Sequence, residues 1–286
     1  MCYTNTIEIN LLGENMIKAI FCDLDGTLFN KKMELSPENS EAISELARRG
    51  VVFVPTTGRA YYEILGDLRV HPDVRYFLTS NGSGIFDMQS GESYHRSIPR
   101  TTAAEIIRVF SSMKTFPVVH SISGDAYIDR DKNDYATKRS YRLNEYFCRY
   151  FDIYATKVES VYEKYRDGVG INALVAFFAI EEERVEAMRL LDRLGVSYTH
   201  SAEAQLEIFN ATAGKGNSVL KLAGELGITP EEIVTVGDSM NDKSMLEITP
   251  NSVVTADANP KLFSVAKHVG CSNDEPILRY VIDKFL

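Results

Sequence analysis

Apolar and polar positions fall into blocks of two different periods along the chain. Residues 17–22 are nearly all apolar, as in a strand covered on both faces of a parallel sheet. Asp23 then opens a polar, glycine-containing turn. Ser36-Pro37-Glu38 offers an N-cap, a proline at the first helical position and an acid in the first turn, while Ile43, Leu46 and Ala47 form an apolar stripe that Gly50 ends. Residues 51–54 read as a second strand, completing a βαβ unit. A third strand is predicted at 76–79, followed by the turn Asn81-Gly82 and a hairpin through 85–88 and 94–98.

Beyond this point the pattern changes. A helix at 101–113 precedes strands at 118–122 and 126–129, paired about Gly124-Asp125, and the same order returns as a helix at 181–194 with strands at 196–200 and 205–210. Alternating β and α elements resume after Gly214: helix 215–226, strand 233–236, helix 240–248, strand 252–255, helix 260–267. The simplest architecture is an α/β protein. A doubly wound, Rossmann-like parallel-sheet core is made from both ends of the chain (16–98 and 212–286), and a large α+β cap (99–211) is inserted between them. Met16 stands directly before the first strand, so residues 1–15 read as an N-terminal tail.

Composition narrows the partners. A 286-residue chain with 44% hydrophobic and 25% charged residues folds around a sizeable core, and its net charge of −9 disfavours nucleic acid or anionic membrane as a partner. The longest apolar run, 173–180, falls far short of the ~20 residues that cross a bilayer. Cys2, Cys22, Cys148 and Cys271 lack the paired spacing of a zinc site or redox dithiol, and the acidic start lacks a secretory leader. Together these features predict a cytoplasmic protein with reduced thiols and no obligate protein partner.

The candidate chemistry lies at strand ends, where doubly wound sheets bind their ligands. Asp23-Leu24-Asp25-Gly26-Thr27-Leu28 places two acids on one side of an extended segment with a glycine beside them. Asp23 is a candidate nucleophile toward phosphorus. Asp25 is a candidate acid/base, a role that calls for a raised pKa beside its partner. The competing reading is a pair of solvated turn carboxylates. Thr57-Gly58 after the second strand offers a hydroxyl and a backbone N–H to a phosphoryl group, or simply a helix cap. Lys215, between Gly214 and Gly216, offers a cation to phosphate or Asp23, or else a solvated surface charge. Asp238 in Gly237-Asp238-Ser239-Met240-Asn241-Asp242 is a hard oxygen ligand of the kind Mg²⁺ takes. Asn241 and Asp242 are candidates for supporting the site or capping the helix. Arg59 and Asn81 are candidate substrate or cap contacts, with a salt bridge and a turn as their ordinary explanations. The aromatic group Tyr146, Phe147, Tyr150, Phe151 and Tyr154 reads as cap packing.

In these motifs, taken in order, the chain resembles the haloacid-dehalogenase superfamily and its Cof-type branch of sugar-phosphate phosphatases; Leu206-Glu207-Ile208 is also similar to that branch. The resemblance implies a Mg²⁺-dependent phosphatase acting on a small phosphorylated metabolite, a sugar phosphate above all, through an aspartyl phosphate on Asp23. It implies Asp25 as acid/base and main-chain metal ligand, Asp23 and Asp238 as metal ligands, and Thr57, Gly58, Lys215 and Asn241 around the phosphate, with Asp242 in support. A sugar-phosphate phosphomutase, or a catalytically silent phosphosugar-binding regulator, are the alternatives. Thr255, where relatives often carry methionine, and Asp274-Glu275-Pro276, without their usual glycine, depart from the pattern away from these groups.

Overall fold

The computed structural model describes residues 16–166, 168, 170–200 and 202–286; the tail expected at 1–15 lies outside the described residues. In chain order the core begins with β1 (Ala19–Cys22), α1 (Pro37–Arg48), β2 (Val52–Pro55), α2 (Gly66–Arg69), β3 (Tyr76–Thr79), β4 (Gly84–Asp87) and β5 (Ser93–His95). A second group follows, with α3 (Arg100–Phe110), β6 (Thr115–Ser121), β7 (Ala126–Asp129), α4 (Tyr135–Ser140), α5 (Glu145–Tyr154), β8 (Thr156–Val158) and α6 (Val161–Arg166). It ends with β9 (Ile171–Phe178), α7 (Glu181–Leu194), β10 (Ser197–Thr199) and β11 (Gln205–Phe209). The chain returns through α8 (Lys215–Leu226), β12 (Ile233–Gly237), α9 (Lys243–Leu246), β13 (Asn251–Val254), β14 (His268–Val269) and α10 (Ile277–Phe285).

The core sheet is parallel throughout, in the order β14-β13-β12-β1-β2. Its strands are apolar on both faces because both faces are covered. Ile20 and Cys22 of β1 pack with Ile43 and Leu46 of α1 and Val281 of α10, whereas Ala19 and Phe21 pack with Val219, Leu222 and Ala223 of α8. The N-cap of α1 forms as the sequence predicts: the Ser36 hydroxyl accepts from the Asn39 amide, a bond worth about 1 kcal/mol. Strand β1 lies between β2 and β12, so the turns leaving all three open side by side at one edge of the sheet. The β3-β4-β5 meander joins this sheet through a parallel bridge between Thr56 and Leu78.

The cap is built on a separate six-stranded sheet, ordered β10-β11-β9-β6-β7-β8. Helices α3 and α7 cover one face, with Ile106, Ile107 and Leu191 against Leu174, Ala176 and Phe178. On the other face Phe147 and Phe151 of α5 pack on Phe116 and Phe177. The two connections between the sheets run together: Asn210 Nδ2 donates to the Ser97 carbonyl at 2.8 Å, and Arg96 donates to the Thr212 carbonyl.

Both helix-strand-strand units are present, but the strand at the centre of the cap, β9, was not predicted. All eight of its residues are buried, which leaves no polar alternation to mark it as a strand. Two expected helices are shorter or broken. Residues 240–248 form a 3-10 turn (Met240–Asp242) and then α9, because the Asp242 side chain folds back onto the amides of Asp238 and Ser239. Residues 260–267 retain only a 3-10 turn at Pro260–Ser264.

Candidate active site

Asp23 leaves β1 almost fully buried, its amide donating to the Val236 carbonyl of the neighbouring β12 at 2.9 Å. Lys215 opens α8, and its Nζ donates to Asp23 Oδ1 at 2.6 Å and to Asp242 Oδ1 at 2.5 Å, tying together residues 192 and 27 positions away. The other oxygen of Asp242 accepts from the amides of Asp238 and Ser239 at 2.9 and 3.0 Å. Asp238 is held by the Thr27 hydroxyl, which donates to its Oδ1 at 2.9 Å. Gly26, at φ +79°, leaves room for that carboxylate: a Cβ there would stand 2.5 Å from Asp238 Oδ2. Carboxylate oxygens of Asp23, Asp238 and Asp242 lie within 4.8 Å of one another.

Burial and mutual repulsion dominate this cluster. Burial first, then the charge of Asp242, pushes Asp238 up to about 7, and the same two causes raise Asp23 well above the carboxylate range against the opposing pull of Lys215. Desolvation works against the Lys215 ammonium, but Asp23 and Asp242 outweigh it and keep the charge in place.

Asp25 points elsewhere. Its carboxylate is clamped by Arg59, whose Nε and Nη2 donate to Oδ2 and Oδ1 at 2.8 and 2.6 Å, and the Tyr146 hydroxyl of the cap donates to Oδ1 at 3.1 Å. The sequence called for a raised pKa here, and the structure reverses that expectation. Burial pushes Asp25 up, but the adjacent guanidinium and the two donors overcome it and hold the carboxyl below its ordinary value. Arg59 is itself buried, with Nη1 donating to the Glu63 carbonyl at 2.7 Å and Cζ 4.8 Å from the Tyr150 ring centre. Thr57 and Gly58 lie at the cleft beside Asp23, and the Thr57 hydroxyl accepts from the Arg59 amide. Asn81, at φ +54°, donates to Glu207 of β11 at 2.5 Å and accepts from Asn241 at 3.1 Å, so it links core and cap. Asp23, Asp25, Thr57, Arg59, Tyr146 and Asp238 line one cleft of about 330 Å³ between the two sheets.

The chain belongs to the haloacid dehalogenase-like hydrolase family. The family's sequence profile matches residues 20–281. Phosphatase YwpJ of Bacillus subtilis (strain 168) is 28% identical over 277 residues, covering 91% of this chain and 96% of the relative. The 5-amino-6-(5-phospho-D-ribitylamino)uracil phosphatase YwtE of the same organism is 30% identical over 294 residues, covering 94% and 98%. A haloacid dehalogenase-like hydrolase structure from B. subtilis superposes with a TM-score of 0.80 at 26% identity, covering 94% of this chain and all of that one. The subclass IIB sugar phosphatase BT4131, at 19% identity and a TM-score of 0.79, shares the fold. The chain is a phosphatase of this family.

Family hydrolases use a metal ion, and the donors here suit one. Three carboxylates face a single ammonium, and hard oxygen ligands in excess of positive charge fit a divalent cation. Asp242 has both oxygens engaged by three donors, which leaves Asp23 and Asp238 as the carboxylates able to turn toward it. The side chain of Asp25 is directed away from this cluster, onto Arg59.

Several residues at the site escaped the sequence reading. Tyr146 was assigned to packing with its aromatic neighbours, yet its hydroxyl reaches Asp25. Thr27 appeared only as part of a motif. Glu63 and His120 border the cleft without any local pattern to mark them, and no linear signal pairs a residue in a core loop with one on a cap strand.

Proposed function

We propose that the protein is a Mg²⁺-dependent phosphatase of small phosphorylated metabolites, sugar phosphates foremost, working through an aspartyl phosphate on Asp23. The observation that carries this reading is the convergence of Asp23, Lys215, Asp238 and Asp242 at adjacent strand ends. Asp23 attacks phosphorus, the P–O bond to the leaving group breaks, and Asp25 gives that oxygen a proton. Asp25 then takes a proton from the water that hydrolyses the aspartyl phosphate. Thr57, the Gly58 amide, Lys215 and Asn241 hold the phosphoryl oxygens, and Asp242 keeps Lys215 in position. Asp23, Asp238 and the Asp25 carbonyl would hold Mg²⁺, which would neutralise charge on those oxygens.

The resting Asp25 is an ionised carboxylate gripped by Arg59, which suits the water-activating half of the cycle. The proton-donating half requires Asp25 to take up a proton from solvent as that grip loosens when substrate settles under the cap. Residues 99–211 form that cap, and its closure excludes water and selects the leaving group. A relative named for a phosphorylated ribityl compound supports a polyhydroxylated substrate. The test is phosphate release from a phosphoester panel with Mg²⁺ by wild type and Asp23→Asn. Release should fall by about 10⁴-fold or more in the variant, and equal release removes Asp23 from the nucleophile's role.

A further inference from the structure

We infer that Asn81 is a positioning residue: it sets the side-chain amide of Asn241 so that an N–H, and not a carbonyl oxygen, meets the phosphoryl group, and Glu207 of the cap fixes its direction. This rests on the phosphatase reading above and deepens the part given there to Asn241. Asn241 lines the cleft, whereas Asn81 is 2% exposed and outside the lining. A buried amide needs partners at both ends. Chemistry tells the two ends of Asn81 apart: a carboxylate only accepts, so Glu207 Oε2 faces Nδ2, at 2.5 Å. Asn81 Oδ1 is thereby turned to Asn241, and an oxygen there demands Nδ2 of Asn241, at 3.1 Å. The Asn241 oxygen accepts from the Ser239 hydroxyl at 2.7 Å. One hydrogen of the Asn241 NH₂ group is engaged by Asn81, and the second is left for a phosphoryl oxygen. Gly58 lies against the same pair, where a Cβ would stand 3.1 Å from Glu207 Oε2 and 3.3 Å from Asn81 Oδ1.

The backbone holds Asn81 in place against its preference. Ser80, Asn81 and Gly82 follow one another at φ +50°, +54° and +84°, left-handed conformations that residues with side chains avoid and asparagine tolerates better than most. A run of this kind persists only where its neighbours over-determine it. Here the Ser80 and Asn81 amides donate to the carbonyls of Arg59 and Thr57, at 2.8 and 3.0 Å. Gly82 lies so close to the start of α8 that a Cβ would stand 2.6 Å from the Gly214 carbonyl oxygen, and the Ser218 hydroxyl donates to the Gly82 carbonyl. The Ser80 hydroxyl meets His120 Nδ1 of cap strand β6 at 3.3 Å. One three-residue turn therefore touches the loop carrying Thr57, the helix opened by Lys215 and the cap, and the Asn81 side chain reaches the loop after β12. The bond to Glu207 makes that arrangement depend on where β11 lies.

The test is competitive inhibition by inorganic phosphate of p-nitrophenyl phosphate hydrolysis with Mg²⁺, in Asn81→Gly, Asn241→Ala and the double variant. Glycine keeps the left-handed backbone and removes only the side chain. Asn81→Gly should weaken phosphate about fivefold, the worth of one neutral hydrogen bond. The double variant should bind phosphate no more weakly than Asn241→Ala alone, because Asn81 acts through Asn241. A general loosening of the site would instead multiply the two losses. Glu207→Met should match Asn81→Gly, whereas Glu207→Gln, which keeps an accepting oxygen, should bind phosphate within about twofold of wild type. Inhibition unchanged by Asn81→Gly, a double variant weaker than Asn241→Ala alone, or equal losses in Glu207→Met and Glu207→Gln overturns the inference and leaves the phosphatase intact. No release from p-nitrophenyl phosphate by the wild type overturns the phosphatase reading and this inference with it.

Discussion

Lys215→Met removes the one ammonium that the structure places between Asp23 and Asp242. The lysine and Asp242 side chains are wholly buried and that of Asp23 is 5% exposed, so water cannot replace the lost partner without opening the core. Breaking a buried pair of this kind costs about 3–5 kcal/mol. With a urea dependence of roughly 2–3 kcal/mol per molar for a chain of this size, the unfolding midpoint should fall by about 1–2 M. The deficit should depend on pH. A carboxyl whose pKa is raised by folding contributes stability that is complete below its unfolded value, about 3.9, and is lost as pH rises through the folded one. Asp238 sits at about 7 in the folded chain and Asp23 is raised as well, and removing the ammonium raises both further. The variant should therefore be nearest to wild type at about pH 5 and furthest from it at about pH 8. Added Mg²⁺ should restore part of the difference by replacing the missing charge. Urea melts at the two pH values, with and without the metal, read the effect directly. A variant as stable as wild type at the higher pH without Mg²⁺, or one whose deficit grows on acidification, refutes the electrostatic account of this cluster.

Two further substitutions probe other contacts. Gly26→Ala places a Cβ where Asp238 stands, at a φ of +79°; it should cost about 1–2 kcal/mol of stability and raise the Mg²⁺ concentration needed for half-maximal activity, so an unchanged metal titration would show that Gly26 does not govern Asp238. Tyr146→Phe removes one donor from an Asp25 side chain that is 38% exposed; kcat should fall about fivefold, the equivalent of about 1 kcal/mol, with melting little altered, and undiminished turnover would separate Tyr146 from the acid/base group.

The strand-end motifs were readable because each is a local arrangement whose position follows from period. The apolar block at 17–22 announces a buried parallel strand, and the acid after it must then stand at the ligand-binding edge. The state of Asp25 was not readable, because it depends on Arg59 from the next strand end and Tyr146 from a cap helix 121 residues away. The same distance hid the aromatic cluster's second use: Phe147 and Phe151 are packing residues, as read, while Tyr146 on the same helix turns its hydroxyl into the cleft.

The sequence alone determined that two halves of a parallel-sheet core would enclose a cap, that Asp23 and Asp238 would stand at strand ends and that Lys215 would open a helix, since hydrophobic period and turn chemistry act over a few residues. Tertiary structure decided the charge states and the shape of the cleft. Burial and the pairing of Asp25 with Arg59, of Lys215 with two acids, and of Asn81 with Glu207 are set by packing between segments far apart in the chain. Desolvation and Coulomb energy depend on that packing and on nothing local.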